Sequence, residues 1–356
     1  LRRAFGLILL ALGVFAAAGA VLLPTYVYPK LAKVPLDQDS TSVLEGTVSK
    51  VLAVTDKGAG PVAEIRENRR LTATARVQAN FARPEMHQDT DYAVWLLAVQ
   101  VKDDADDTVV NASKRQVCFD RRTAEGYDPR GATDPACTRE SSYVTRLKDK
   151  ADKDGLKPAE DNVYKPQPGL NFKFPFGTEQ KDYPVYDDNT EKAVTARYTG
   201  TETVNGIETY KFVQDIPDTR LETKSVPGSL VGSTQPTVDA DLYYRGVTTM
   251  WVEPVTGIEV KQQQQQHQEL RSGATAPVVV FDGTLAYNSN TVARMVDQID
   301  ANRGRLQFLS STGPLWLGIG GGVLVVVAIF LLVRRRPAEP PAPPQRRHRV
   351  PVGADR

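Results

Sequence analysis

Arg197–Gln214 reads RYTGTETVNGIETYKFVQ. Strand-forming residues flank Asn205-Gly206, the strongest short hairpin signal, because both central positions of a type I′ turn need positive φ. Thr248–Gln266 reads TTMWVEPVTGIEVKQQQQQ, again two strand-like runs around a Pro-Val-Thr-Gly turn. The pattern V-x-G-I-E-x occurs at Val204–Thr209 and at Val255–Val260, which predicts successive hairpins of one antiparallel sheet. Gln262–Gln266 continues the second strand and is read as a hydrated strand edge. Val278–Phe281 and Gly283–Tyr287 supply further strands. Upstream, Gly46–Thr55 and Arg70–Val77 alternate β-branched and polar residues, and Tyr92–Val101 (YAVWLLAVQV) is a continuous apolar run expected as a buried strand. Lys148–Lys157 is dense in charge and reads as a solvated helix or loop. The period then changes over Asn290–Asn302, where Val292, Met295, Val296 and Ile299 fall at helical spacing. Asn290 is the expected N-cap and Gly304 the expected stop. This helix is expected to pack its apolar stripe over the sheet.

Two apolar runs bracket that region. Phe5–Leu23 has 19 residues without a charge and Pro314–Val333 has 20. At about 1.5 Å of rise per residue each matches a hydrocarbon core ~30 Å thick. Arg2 and Arg3 precede the first run; Arg334, Arg335 and Arg336 follow the second, with Arg346, Arg347 and Arg349 beyond. Positive charge marks the cytoplasmic side. The expected layout is therefore a cytoplasmic N-terminus (1–4), a span (5–23), an extracytoplasmic β-rich domain (24–313, in two halves near 40–160 and 165–303 or in one piece), a second span (314–333) and a disordered basic cytoplasmic tail (334–356). Ala18-Gly19-Ala20 has the form that signal peptidase reads. The apolar run continues through Leu23, and Tyr26 and Tyr28 fit an interfacial anchor, which favours a retained span; cleavage would leave one span and the same external domain. Gly318 and Gly322 form a G-x-x-x-G pair that lets helices approach closely, so the spans are expected to pack together or to oligomerise.

The chain carries 44 Lys/Arg and 43 Asp/Glu. The ends are basic, and residues 4–333 hold 35 Lys/Arg against 41 Asp/Glu. A mildly acidic exterior argues against nucleic acid as a partner. Cys118 and Cys137 are the only two cysteines. Outside the membrane such a pair most simply forms a disulfide, and closing a loop of about 20 residues is worth roughly 3 kcal/mol. Walker loops, nucleophile elbows, zinc-protease helices and calcium loops are all missing from the sequence. Asp103–Asp107 (DDADD) lacks the ligand spacing that calcium needs and reads as a solvated turn. No catalytic residue, metal ligand or cofactor is expected.

The stretches GLNFKFPFGTEQKDYPVYDD (Gly169–Asp188) and YNSNTVARMVDQI (Tyr287–Ile299), together with two spans around a β-rich domain, resemble the PorA-like family of actinobacterial envelope proteins. The resemblance covers nearly the whole chain. It implies a part in cell-wall lipoglycan assembly, with lipomannan and lipoarabinomannan as candidates, and residence in the cytoplasmic membrane. A second resemblance rests on Gly200–Phe212 (G-T-E-x-V-x-G-I-x-x-Y-x-F) and Trp251–Gly257 (W-V-x-P-x-T-G), which are similar to hairpins of periplasmic lipoprotein and lipid carriers. It implies a curved, open-barrel-like sheet and a covering helix around an apolar cavity.

The fold class expected is thus α+β, mainly β, with two transmembrane helices. The function expected is binding of a lipid or lipoglycan precursor, by a concave apolar surface to which Trp95, Leu97, Phe212, Tyr243, Met250, Val278 and Val280 are assigned as candidate lining residues, or else by none of them if they are core. Two other readings stand beside it. One is a scaffold for envelope glycosyltransferases; the other is an oligomeric channel or conduit.

Overall fold

The computed structural model describes residues 2–56, 61–79, 90–128, 137–138, 141–151, 158–273 and 276–333. The basic tail, and the end of the charged stretch at 152–157, lie outside the described residues. The chain forms two compact units, residues 1–25 with 310–356, and residues 26–309.

The first unit contains α1 (Arg2–Leu22) and α4 (Gly313–Val333), and the short α2 (Tyr28–Leu31) belongs to the second. The helical segments Arg3–Leu31 and Ser289–Val333 are long and apolar enough to cross a membrane. α1 and α4 pack antiparallel. A methyl group on Gly13 would meet the Gly321 carbonyl at 2.9 Å, and one on Gly321 would meet Ala16 Cβ at 3.1 Å. The close approach therefore falls at Gly13 and Gly321. Gly318 makes only ordinary contact with Ala20, at 3.9 Å, and Gly322 has open space around it. The G-x-x-x-G spacing marked the right helix, but the two helices meet on an adjacent face of it.

The second unit is built on one antiparallel sheet of 12 strands. β1 (Asp39–Asp56), β2 (Pro61–Ala79), β3 (Tyr92–Asp103), β4 (Val109–Asp120), β5 (Tyr143–Ala151) and β6 (Pro158–Tyr164) form one meander. β7 (Tyr183–Asp187), β8 (Lys192–Val204), β9 (Ile207–Pro227), β10 (Thr237–Val252), β11 (Glu259–Arg271) and β12 (Val278–Tyr287) form the other. They join where β1 pairs with β12, Leu44 opposite Tyr287 and Val51 opposite Phe281. The order is β6-β5-β4-β3-β2-β1-β12-β11-β10-β9-β8-β7, so the stretches 40–160 and 165–303 contribute to a single sheet. Asn205 (φ 46°) and Gly206 (φ 83°) make the β8–β9 turn, as the hairpin signal requires. Gly283 allows the β1–β12 seam to close, because a methyl group there would lie 2.5 Å from Val48 Cγ1.

Several expectations need correction. β11 lies between β10 and β12, so Gln262–Gln266 sits inside the sheet and not on its edge. The charged run begins within strand β5, which extends to Ala151. α3 (Ser289–Gln307) is capped by Asn288, whose side chain accepts a hydrogen bond from the Thr291 N–H, and it continues past Gly304. Among the described residues α3 is not shown to cover the sheet as expected. α3 packs Val292 and Ile299 against Ile207 and Val260, near the β8–β9 and β10–β11 turns. The inward face is filled instead by the connector between β6 and β7. Its Phe174 stacks on Phe212 with centroids 4.5 Å apart, and Phe172 lies against Trp95 at 5.3 Å. Leu170 bridges to Glu125, just after β4, and to Val185 of the end strand β7.

Candidate functional site

Side chains on β3 alternate between faces, and Trp95, Leu97 and Asp103 point inward with Leu71 and Ala79, their partners or neighbours in register. At the Trp95 end the interior holds a core of Trp95, Phe119, Phe174, Phe212, Met250 and others. Beside that core lies a cavity of about 350 Å³. Trp95, Phe172 and Phe176 form one wall; Met295, Leu306 and Leu309 of the helical segment after β12 form another. The cavity is apolar over much of its surface, and two oppositely charged side chains, Lys173 and Glu259, also line it.

Trp95 is 5% exposed, and its indole N–H has no hydrogen-bond acceptor among the described residues. Lys173 follows Phe172 in the connector. Its ammonium stands 3.3 Å from the centroid of the Phe176 ring, and among the described residues no carboxylate pairs with it. Burial pushes its pKa down to about 7, with the Glu253 carboxylate acting in the opposite direction. Glu259, at the start of β11, accepts one hydrogen bond from Gln262 Nε2 at 3.2 Å. Burial pushes its pKa up to about 7. Burial likewise raises the Tyr287 hydroxyl, and the Glu259 charge adds to the effect. Gln266 donates to Gln264 and Gln264 to Gln262, so a ladder of amides on the inward face ends at Glu259.

The candidate lining residues fall in different places. Trp95 lines the cavity. Phe212 and Met250 are in the core beside it, 0% and 1% exposed. Leu97 is half-buried farther along β3. Tyr243 stacks under the Arg271 guanidinium at 3.7 Å. Val280 belongs to a separate core cluster with Leu242 and Leu270, with Val278 packed against it. Cys118 and Cys137 are bonded, with Cα atoms 5.8 Å apart, in a small cluster with Val94.

Lys173, Glu259 and Phe172 were not singled out by sequence reasoning, although Lys173 stands between two aromatics in F-K-F. Arg115 was also missed. It is held by the same connector, donating to Gln167 and Asn171 at 2.8 Å each and pairing with Asp188 at 2.6 Å. Phe172 and Tyr186 cover its guanidinium. No group of three or more His, Cys, Asp or Glu side chains is arranged to hold a metal ion among the described residues.

Residues 5–330 match the family described as Porin PorA. A protein of Corynebacterium amycolatum described as Porin PorA is 24% identical over 318 residues, covering 73% of this chain and 76% of its own length. A protein of Corynebacterium resistens with the same description is 25% identical over 240 residues, covering 62% of this chain and 54% of its own length.

Proposed function

The chain belongs to the PorA family, and from that premise we propose that it is a non-enzymatic, membrane-anchored envelope protein working as an oligomeric conduit. One observation carries this reading. The family match runs through both apolar helices and the sheet, while the outward face of the sheet is charged. Arg70, for example, pairs there with Glu45 and Asp104. A membrane β-barrel needs an outward apolar band, so crossing the bilayer falls to the helices, and a passage needs several copies. The open space around Gly320 and Gly322 on α4 is compatible with a neighbouring helix. In this reading the arginines flanking the two helices favour the cytoplasmic side for both flanks and leave the sheet outside. The test is the mass of the full chain in detergent together with conductance in planar bilayers. The reading expects oligomers that conduct, and loss of both in the Gly320→Leu/Gly322→Leu double variant. A monomer that never conducts would contradict it.

A second reading is supported by the cavity beside Trp95. Here the domain binds a lipid or a lipoglycan precursor, of the lipomannan or lipoarabinomannan type, on its way to the wall. Concave, mostly apolar sites with a few convergent polar groups are what ligands of this kind occupy. Mass spectrometry of lipids carried by the full chain purified in a mild detergent should find one species enriched over the bulk membrane. A lipid profile matching the bulk membrane would remove this reading.

A further inference from the structure

The cavity's polar groups specify its ligand more narrowly than its apolar walls do. We propose that the cavity takes a single-chain amphiphile with an anionic head, a carboxylate or phosphate, which the Lys173 ammonium binds. The inference rests on the lipid-binding reading above and names the ligand's chemistry.

Charge, size and wall chemistry lead to it. A buried ammonium is normally paired. Lys173 has only the Phe176 ring against it, because Glu253 is already engaged by the Val255 and Thr256 N–H groups, the Thr256 hydroxyl and Arg303. An anion at Lys173 therefore supplies what the protein does not. The size fits one chain: about 350 Å³ lies at the small end of ligand pockets, which run from roughly 300 to 1,000 Å³. Met295, Leu306 and Leu309 offer the tail an apolar wall. Glu259 lines the same cavity and opposes a second negative charge on the head.

The experiment uses the full chain in a neutral maltoside micelle. The probes are a diazirine-bearing C16 fatty acid and its methyl ester, with labelled residues mapped by peptide mass spectrometry. Labelling of α1 and α4 in the same sample corrects for partition into the micelle. The acid-to-ester labelling ratio at the cavity should exceed that on the helices by about tenfold, as one charge-assisted hydrogen bond implies. Lys173→Met should bring the ratio to that of the helices while leaving ester labelling in place, and Glu259→Gln should raise the ratio. A ratio in the native chain equal to that on the helices, or one that survives Lys173→Met, would overturn the anionic-head assignment and leave lipid binding standing. Absence of cavity labelling by either probe would overturn both. Full displacement of the acid by acetate or inorganic phosphate at equal concentration would show a small-anion site and also overturn the proposal.

Discussion

The two ends of strand β3 look into the same interior and treat buried charge in opposite ways. At the Asp103 end every charge has a partner. The Asp103 carboxylate is fully buried and accepts from Arg66 Nη1 at 2.9 Å, Arg69 Nε at 2.7 Å and the Ala105 N–H at 3.2 Å. Burial pushes its pKa up, but the Arg69 and Arg66 hydrogen bonds outweigh that and hold it below the usual carboxylate range. At the Trp95 end, among the described residues, the indole N–H has no acceptor, Lys173 has no carboxylate partner, and Glu259 accepts only from Gln262. One end is arranged for stability. The other leaves a lysine without a carboxylate partner in a largely apolar cavity, and sites of this kind are where proteins give up stability for function.

The contrast can be broken first at its stable end. Asp103→Asn should leave Arg66 with Glu64 and Asp106 and Arg69 without its carboxylate, and lower unfolding free energy by about 2–3 kcal/mol, read by denaturant titration of the full chain in detergent. The carboxylate's contribution is present above its unfolded pKa and lost as pH falls through its lower folded value. The native chain and the variant should therefore converge in acid. At the other end the sign reverses. Lys173→Met should raise stability at neutral pH by roughly 1–3 kcal/mol, because it removes the cost of burying an unpaired ammonium.

The two cavity groups also differ in pH dependence. Lys173, moved from 10.5 to about 7, makes stability rise with pH across that window, where the unfolded chain holds the extra proton. Glu259, moved from 4.5 to about 7, makes stability fall with rising pH across its own window, where the folded chain holds it. Both costs are near their full size at neutral pH. Thermal scans should show that the gain from Glu259→Gln disappears in acid and that from Lys173→Met in strong base. The smallest effect is expected on the surface. Asp241 is pushed down to about 2 by its Arg220 and Thr223 hydrogen bonds, yet exposed pairs contribute little, so Asp241→Asn should leave the unfolding midpoint where it is.

Much of the fold was legible because its signals are local. The Asn205-Gly206 turn, the β10–β11 hairpin, the helical spacing of Val292 and Ile299 and the two charge-free runs each lie within one stretch of chain. What was not legible depends on distant pairing. The β1–β12 seam joins Leu44 to Tyr287, and only that seam places β11 in the middle of the sheet, so its glutamines were read as an edge. The DDADD run was read as a solvated turn; it does turn, but Asp103 is buried by Arg66 and Arg69 from the neighbouring strand. In the candidate site, Trp95 was nominated for its apolar surface, whereas what distinguishes it is an unanswered N–H. Lys173 has no periodicity to mark it, since its position comes from a connector lying inside the sheet.

The most direct measurement is an experimental density map of the full chain purified from native membranes in mild detergent. The account predicts elongated density along Phe172, Met295 and Leu306, ending within hydrogen-bond distance of Lys173 Nζ. A cavity closed by repacked side chains, with Lys173 and Glu259 paired to each other, would contradict it.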